Sequence, residues 1–301
     1  MHKVIVIVGT NASGKSGLAV ELAKKYSGEV ISADSRQVYK GLDIATGKIT
    51  KREMRGIPHH LLDVVSPKKM YTAADFARDG QEALIGIIER GNVPIVAGGT
   101  GFYIDALLNP QLLAAVPADD QLRARLEKKT PAQLFAQLKK LDPKRAHDIK
   151  RKNEQNNARR LIRAIEVAKS TREGPSLPKN TLAFDVLWIG ITWEKEELNK
   201  RIHERTLTRL RRGMSTEVQT LHEKGLSWKR MEQLGLEYKR LADYLRKRIT
   251  KDKLIELIEQ DDRQYAKSQR TWFKRNTNIH WFDGGNTKGV EKLVRGFLKN
   301  T

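Results

Sequence analysis

The 301-residue sequence contains no cysteine, which excludes disulfide bridges and zinc sites built on thiolates. Long apolar runs are also missing. The run nearest the N-terminus, Val4 to Val8, has five residues and is too short for the core of a signal peptide or for a membrane span. We therefore expect a cytoplasmic protein with no membrane partner.

Acidic residues are in the minority, with 36 Asp and Glu against 57 Lys and Arg, for a net charge of +21. The imbalance is uneven along the chain. Residues 1–118 hold 14 basic and 11 acidic side chains, whereas the rest of the chain holds 43 basic and 25 acidic ones. This distribution indicates a small-molecule site joined to a surface that binds a polyanion. The alternative is a general surface charge that maintains solubility.

A glycine-rich motif directly follows the apolar run and reads Gly9-Thr10-Asn11-Ala12-Ser13-Gly14-Lys15-Ser16. It fits the P-loop pattern, and it lies between a predicted strand and a predicted helix, as a P-loop requires. The two glycines allow the loop amides and the helix N-terminus to surround a phosphate chain. Lys15 adds a positive charge, and Ser16 can ligate Mg²⁺. We predict diphosphate binding by all eight residues with Mg²⁺ as cofactor; the alternative is a chance glycine turn.

Alternating strands and helices follow the P-loop. Strands are predicted at 29–33 and 93–97, and an apolar periodicity predicts a helix between them at 73–90. Such alternation is typical of an α/β fold, in which a parallel sheet is flanked by helices on both faces. We therefore predict a P-loop NTPase-like parallel sheet with a helical insertion domain.

The insertion is indicated by a change of pattern after Pro110, where strands disappear and short amphipathic helices take over. We predict that residues 1–113 form the first part of the P-loop core and that 114–182 form the helical insertion. Residues 183–301 then return to the core with a strand at 185–191 and two long basic helices.

Two polar side chains are predicted to lie near the P-loop. Asp34 follows the strand at 29–33, and Thr100 follows the strand at 93–97. In open α/β sheets, ligands bind at the carboxyl ends of the strands, so both residues should face the phosphate site. The carboxylate of Asp34 could act as a general base or hold Mg²⁺ through water. The alternatives are a helix-capping or turn aspartate for Asp34 and an ordinary loop position for Thr100.

Both long helices carry basic stripes. The first stripe has helical spacing, which usually marks a solvated face, and consists of Arg201, Arg205, Arg209 and Arg212. The second lies beside Trp272 and Phe273 and consists of Arg263, Lys267, Arg270 and Lys274. Basic residues interleaved with aromatic ones suit an RNA backbone and unstacked bases, although Trp272 could instead belong to the core.

Five segments resemble the signature of the tRNA dimethylallyltransferases, the tRNA isopentenyltransferase family. They occur in the family's order and comprise residues 31–46, 58–61, 98–103, 159–166 and 263–273. The resemblance implies transfer of a dimethylallyl group from dimethylallyl diphosphate to N6 of the tRNA adenosine just 3′ of the anticodon. The P-loop would then hold the departing diphosphate and would transfer no phosphoryl group.

The resemblance also implies roles for individual residues. Asp34 would be the base, while Thr100 and Arg205 would contact the diphosphate in the reaction channel. The other arginines of the 201–212 stripe keep the prediction of a solvated face. The implied tRNA-binding residues are Asp34, Ser35, Arg36, Gln37, Thr100, Arg123, Arg159, Arg160, Leu161, Ile162 and Arg163. The helical insertion would clasp the anticodon stem-loop, and we expect a monomeric enzyme of the bacterial type.

Three alternatives remain. An adenylate isopentenyltransferase would share the P-loop and Asp34 but would have no need for a strongly basic second part. A small-molecule P-loop kinase would require ATP and would not explain the basic, aromatic C-terminal helix. A non-catalytic RNA-binding protein would not need Lys15, Ser16, Asp34 and Thr100 to be intact.

Overall fold

The computed structural model describes residues 1–110, 113, 116, 119–170 and 183–299. Within these ranges the chain forms six strands and fourteen helices. The strands are β1 (His2–Gly9), β2 (Gly28–Ala33), β3 (His59–His60), β4 (Val93–Gly98), β5 (Phe184–Thr192) and β6 (His280–Asp283). The helices are α1 (Lys15–Lys25), α2 (Lys51–Met54), α3 (Ala73–Glu89), α4 (Gly101–Leu108), α5 (Asp120–Leu126), α6 (Pro131–Leu141), α7 (Pro143–Arg151), α8 (Ala158–Lys169), α9 (Lys195–Arg211), α10 (Met214–Glu223), α11 (Trp228–Leu234), α12 (Leu236–Leu245), α13 (Lys251–Phe273) and α14 (Thr287–Lys299).

The strands form one sheet in the order β3-β2-β4-β1-β5-β6. Every neighbouring pair is parallel, which confirms the predicted α/β class. The apolar run Val4 to Val8 lies in the central strand β1 and is fully buried. Its alternate side chains pack into two apolar clusters on opposite faces of the sheet. Because all strands run the same way, the loops after β1, β2, β4 and β5 meet at one edge.

Most predicted elements match the structure closely. The strands expected at 29–33, 93–97 and 185–191 are β2, β4 and β5, and the helix expected at 73–90 is α3. The first long helix is interrupted at Gly213, whose φ of 91° begins α10. Strand β3 was not predicted because it has two residues in a loop-rich stretch, and β6 and α14 were not predicted either.

The described residues fall into two compact units, one within 1–110 and 182–301 and the other within 111–181. The predicted boundary residues 114 and 182 themselves lie outside the described residues. The second unit has an apolar core of its own, built from side chains of α5, α6, α7 and α8. No helix in the described ranges is long and apolar enough to cross a membrane.

A buried carboxylate anchors the amino ends of β2 and β4. Glu29 accepts two hydrogen bonds of 2.8 Å from the Arg90 guanidinium and one of 2.7 Å from Asn92 Nδ2. The His60 ring nitrogen Nε2 lies 2.6 Å from the same carboxylate. These hydrogen bonds, chiefly those from Arg90, lower the pKa of Glu29 to about 2 despite its burial. Glu29 therefore links α3, β3 and the start of β4 to β2.

The depressed pKa of Glu29 makes the protein less stable in acid. Stability from the ionised carboxylate is complete above the ordinary value of 4.5 and is lost as the pH falls toward about 2. Glu29→Gln should lower the free energy of unfolding at pH 7 by about 1–3 kcal/mol and reduce its decline between pH 5 and pH 2.5. Urea titrations at several pH values measure both effects. The control is Glu89→Gln, at an exposed position of α3. An unchanged acid dependence in Glu29→Gln would contradict this account.

Candidate active site

The P-loop has the backbone that its glycines were predicted to allow. Gly14 has a φ of 92°, and Gly9 has a φ of 153°. A Cβ atom at Gly9 would lie 2.4 Å from the carbonyl oxygen of Ile191 in β5, so a larger residue cannot be accommodated there. Gly14 is the N-cap of α1, and the loop thus ends where the helix presents its free amide groups.

Lys15 folds back over the loop. Its Nζ atom donates to the carbonyl oxygen of Thr10 at 2.5 Å and to Ser13 Oγ at 3.3 Å. Burial lowers the pKa of Lys15 to about 8; the charge of Arg205 adds to this effect, and Asp34 opposes it. A buried ammonium group with a lowered pKa gains most when an anionic ligand binds beside it.

A cavity of about 460 Å³ adjoins the P-loop at the carboxyl edge of the sheet. Its lining includes the predicted residues Asn11, Ala12, Ser13, Gly14, Lys15, Ser16, Asp34, Ser35, Arg36, Gln37 and Arg205. Gly9 and Thr10 are buried behind them. The structure thus brings the predicted diphosphate residues, the predicted base and one predicted catalytic arginine to a single cavity.

Asp34 uses one carboxylate oxygen to shape its own turn. The oxygen Oδ1 accepts the backbone N–H of Arg36 at 2.8 Å and that of Gln37 at 3.3 Å. In the described part of the chain, Oδ2 accepts no hydrogen bond. The turn alternative is therefore correct for one oxygen, and the second oxygen is available in the cavity for proton transfer.

Thr100 lies beside the cavity rather than facing it openly. Its hydroxyl accepts the backbone N–H of Ser35 at 3.1 Å. Its own N–H donates to the carbonyl oxygen of Ala33 at 3.2 Å. Thr100 thereby joins the loop after β4 to the loop after β2. Direct contact between Thr100 and a diphosphate stays a prediction.

Arg205 is held by a buried carboxylate that the sequence analysis did not identify. Its Nη2 atom donates to Asp262 Oδ2 at 2.7 Å. The other carboxylate oxygen of Asp262 accepts a hydrogen bond of 2.7 Å from the Nδ2 atom of Asn11 in the P-loop. Asp262 is 3% exposed. One carboxylate in α13 therefore fixes both an arginine of α9 and the phosphate-binding loop.

Arg209 contradicts the prediction of a solvated position. It is buried, and its Nη1 atom donates to Glu237 Oε1 at 3.0 Å and to the carbonyl oxygen of Ala45 at 3.2 Å. Its guanidinium lies across Gly47, where a Cβ atom would be only 1.8 Å away. Burial raises the pKa of Glu237 and lowers that of Arg209, because both charged forms lose water.

Arg201 is partly buried, whereas Arg212 remains exposed as predicted. The Nε atom of Arg201 donates to the carbonyl oxygen of Ala12 at 2.9 Å, and its guanidinium stacks on the Trp193 ring at 4.4 Å. Periodicity detected the common face of these arginines. It could not show that this face lies against the P-loop, since the partners are distant in sequence.

A polar face of α13 was missed as part of the site. It consists of Asp262, Tyr265 and Gln269, all of which line the cavity. Gln269 Oε1 accepts the backbone N–H of Asn11 at 2.7 Å, and its Nε2 donates to the carbonyl oxygen of Gly99 at 3.0 Å. Spacings of three and four residues between these polar groups were the available signal in the sequence.

Trp272 and Phe273 are not free to stack on bases. Phe273 is buried in the main core, so its predicted RNA contact is wrong. Trp272 packs on Gly101 and donates from Nε1 to Asp105 Oδ2 at 3.1 Å. The guanidinium of Arg275 covers the Trp272 ring at 3.8 Å. Trp272 is therefore a packing residue between α13 and α4, as the core alternative proposed.

Several predicted RNA contacts in the helical unit have structural roles. Leu161 and Ile162 are buried in its apolar core, so their side chains pack inside the unit and do not face RNA. Arg123 donates to both oxygens of the buried Glu166 at 2.9 and 3.0 Å, and Arg163 pairs with the same carboxylate. Two further predicted residues, Arg159 and Arg160, are exposed, and Arg160 pairs with Glu154.

The lowered pKa of Lys15 predicts how anion binding responds to pH. Affinity for inorganic pyrophosphate with Mg²⁺ should fall about five- to tenfold between pH 7.5 and pH 9, because the ammonium form is lost as the pH rises through about 8. Calorimetry measures this decline. Lys15→Met should bind weakly at pH 7.5 without the same decline, whereas Lys24→Met, at an exposed position of α1, should behave like the unaltered protein. The same pH slope in Lys15→Met would contradict this assignment.

The sequence of this chain is similar to those of known proteins. The sequence model described as IPP transferase matches residues 37–276. The chain is 39% identical to the tRNA dimethylallyltransferase of Anoxybacillus flavithermus over 99% of this chain and 95% of that protein. It is 38% identical to that of Acetivibrio thermocellus, over 98% of this chain and 96% of that protein.

Solved structures agree with this similarity. The tRNA isopentenylpyrophosphate transferase of Bacillus halodurans matches with a TM-score of 0.74 and 35% identity, over 99% of this chain and 97% of that one. A eukaryotic dimethylallyltransferase acting on tRNA matches with a TM-score of 0.84 and 30% identity, over 100% of this chain and 80% of that one. This chain therefore belongs to the IPP transferase family.

Proposed function

We propose that this chain transfers the dimethylallyl group of dimethylallyl diphosphate to N6 of the tRNA adenosine just 3′ of the anticodon and releases diphosphate. Its relatives carry the name tRNA dimethylallyltransferase. The observation that carries the proposal is the cavity that holds Lys15, Arg205 and Asp34 together. It offers cations for a leaving diphosphate and a carboxylate for the proton of an attacking amine.

The leaving group is stabilised at the P-loop. Negative charge develops on the diphosphate oxygen as the bond to carbon breaks, and the loop amides, Lys15 and Arg205 are positioned to receive it. Asp262 holds the Arg205 guanidinium in place, so little reorganisation is required during the reaction. These groups act on the leaving oxygen and do not promote transfer of a phosphoryl group.

The residues present fit Mg²⁺ as a diphosphate-bound ion. Ser16 is exposed at the first turn of α1, beside the cavity. Across the described ranges, no three His, Cys, Asp or Glu side chains come together to hold a metal. Ser16 Oγ would therefore supply one ligand, with diphosphate oxygens and water completing the shell. When bound, Mg²⁺ would neutralise charge on the diphosphate.

The proposed transfer forms one bond and breaks one bond at C1 of the dimethylallyl group. The N6 lone pair of the adenosine forms a bond to C1 of the dimethylallyl group, and the bond from C1 to the diphosphate oxygen breaks. The electron pair of that bond leaves with the diphosphate. The N6 proton passes to Asp34 Oδ2, while Oδ1 stays fixed by the Arg36 and Gln37 amides.

Access to N6 requires the adenosine to leave its stack, at a cost of a few kcal/mol. Ser35, Arg36 and Gln37 line the cavity and are available to a base that enters it. The basic stripe at the C-terminal end of α13 and just beyond it is exposed, namely Arg263, Lys267, Arg270 and Lys274. Contacts between these cations and RNA phosphates would offset the cost of flipping and make binding depend on salt.

A direct assay tests the proposed function. The protein is incubated with Mg²⁺, dimethylallyl diphosphate labelled in the dimethylallyl group, and either unmodified tRNA or AMP. We expect label in tRNA that has an adenosine 3′ of the anticodon, and none in AMP. Label in AMP alone would indicate an adenylate isopentenyltransferase, and absence of label in both acceptors would refute the proposal.

The role of Asp34 is tested most sharply with Asp34→Asn. The amide oxygen can still accept the Arg36 N–H, so the turn should persist, whereas the base is lost. We expect turnover to fall by at least about 10²-fold, with tRNA affinity changed less than threefold (roughly 0.6 kcal/mol). Asp34→Ala removes the acceptor as well and should weaken tRNA binding in addition. Single-turnover rates and filter-binding affinities separate the two effects; a collapse of tRNA affinity in Asp34→Asn would make Asp34 a binding residue.

A further inference from the structure

Most of the residues that line the cavity beside the P-loop have polar side chains, although the donor in the proposed function carries a branched hydrocarbon. Among the described residues that line it, Leu236 is the only large aliphatic side chain. The other apolar lining groups are the methyl groups of Ala12 and Ala97 and the ring of Tyr265. Leu236 is therefore the principal aliphatic surface that this cavity offers to a ligand.

Leu236 does not serve the apolar core. It is partly exposed, although the next two residues, Glu237 and Tyr238, are buried. None of the apolar clusters in the described part of the chain includes it, whether as a buried member or as a partly buried neighbour. A partly exposed leucine at the cavity wall, outside every apolar cluster of the described residues, leaves part of its apolar surface in water.

The backbone conformation at Leu236 also disfavours a leucine there. Its φ is 46°, a left-handed conformation that glycine adopts freely and that a leucine adopts at a cost. Gly235, directly before it, also has a positive φ, of 73°. Neither packing nor backbone geometry therefore requires a leucine at position 236, and contact with a ligand is the remaining physical reason for one.

The segment that carries Leu236 is fixed on its C-terminal side. Glu237 accepts a hydrogen bond of 3.0 Å from the buried Arg209. The Tyr238 hydroxyl donates to Glu217 Oε1 at 3.0 Å, and the Glu217 carboxylate also accepts the backbone N–H groups of residues 43–45. Leu236 is thus held at the cavity wall by neighbours that cannot move without breaking buried polar contacts.

We propose that Leu236 is the specificity-determining residue that contacts the prenyl group of the donor and limits its chain length. This inference rests on the proposed function, since it takes an allylic diphosphate as the ligand of the cavity. A dimethylallyl group has five carbons, and a geranyl group adds one more isoprene unit. Replacing Leu236 by glycine removes four carbons from the wall, which is close to the volume that the longer chain needs.

The experiment compares the unaltered chain with Leu236→Gly, using dimethylallyl diphosphate and geranyl diphosphate as donors and tRNA as acceptor. We expect the ratio of kcat/KM for the shorter donor over the longer one to fall at least about tenfold in Leu236→Gly. The melting temperature should not fall, because glycine relieves the left-handed backbone. A lower melting temperature with an unchanged donor ratio would give Leu236 a structural role and overturn the inference.

Measurements of ligand binding test the role of Leu236 without requiring turnover. Calorimetry with dimethylallyl diphosphate and with inorganic pyrophosphate measures the contribution of the prenyl group to affinity. The ratio of the affinity for dimethylallyl diphosphate to the affinity for pyrophosphate should fall about tenfold in Leu236→Gly, while the affinity for pyrophosphate itself stays the same. Absence of transfer by the unaltered chain would refute the proposed function alone; an unchanged prenyl contribution in Leu236→Gly would refute the inference alone.

The matched control is Lys247→Gly. Lys247 follows α12, has a φ of 58° and is exposed, and it does not line the cavity beside the P-loop. Lys247→Gly relieves the same kind of backbone conformation at the other end of that helix. It should leave both the donor ratio and the prenyl contribution unchanged, and a change equal to that of Leu236→Gly would overturn the assignment to the Leu236 side chain.

Discussion

The site depends on the buried carboxylate of Asp262. It accepts hydrogen bonds from Asn11 in the phosphate-binding loop and from Arg205 in α9, both at 2.7 Å. A charge removed from water is tolerated when it is paired and hydrogen-bonded, and the loss of one partner then leaves the other uncompensated. This constraint couples α9, α13 and the P-loop, so the Arg205 guanidinium and the P-loop are positioned by one group.

The parallel sheet determines which loops meet, and α13 determines how they are spaced. Strands β1, β2 and β4 end at the same edge, but strand ends alone leave the loops free to move apart. Gln269 bridges Asn11 after β1 and Gly99 after β4 through hydrogen bonds of 2.7 and 3.0 Å. Thr100 continues the chain of contacts to Ser35 after β2. The cavity is preorganised because each loop is tied to the next.

How far the sequence predicts this site depends on the range of the interactions involved. The P-loop and Asp34 were predictable, because their signals lie within a strand, a turn and a helix. Asp262 and Arg209 were not, since their partners are distant in the chain and a stripe of arginines usually marks a solvated face. Leu161 shows the reverse error: its place in a family motif suggested RNA contact, yet its own apolar periodicity indicated the buried position that it occupies.

Ion pairs with buried acids determine how much of the high net positive charge remains on the surface. After residue 118 the chain has 43 basic and 25 acidic side chains, and the arginines that face buried acids, such as Arg205 and Arg123, are used inside the protein. Each one-to-one pair of this kind cancels in charge, so most of the excess is carried by exposed residues such as Lys267 and Lys274. Under the proposed function, phosphate contacts and their salt dependence are expected from lysines and arginines outside the cavity, while Arg205 and Arg209 hold the elements around it.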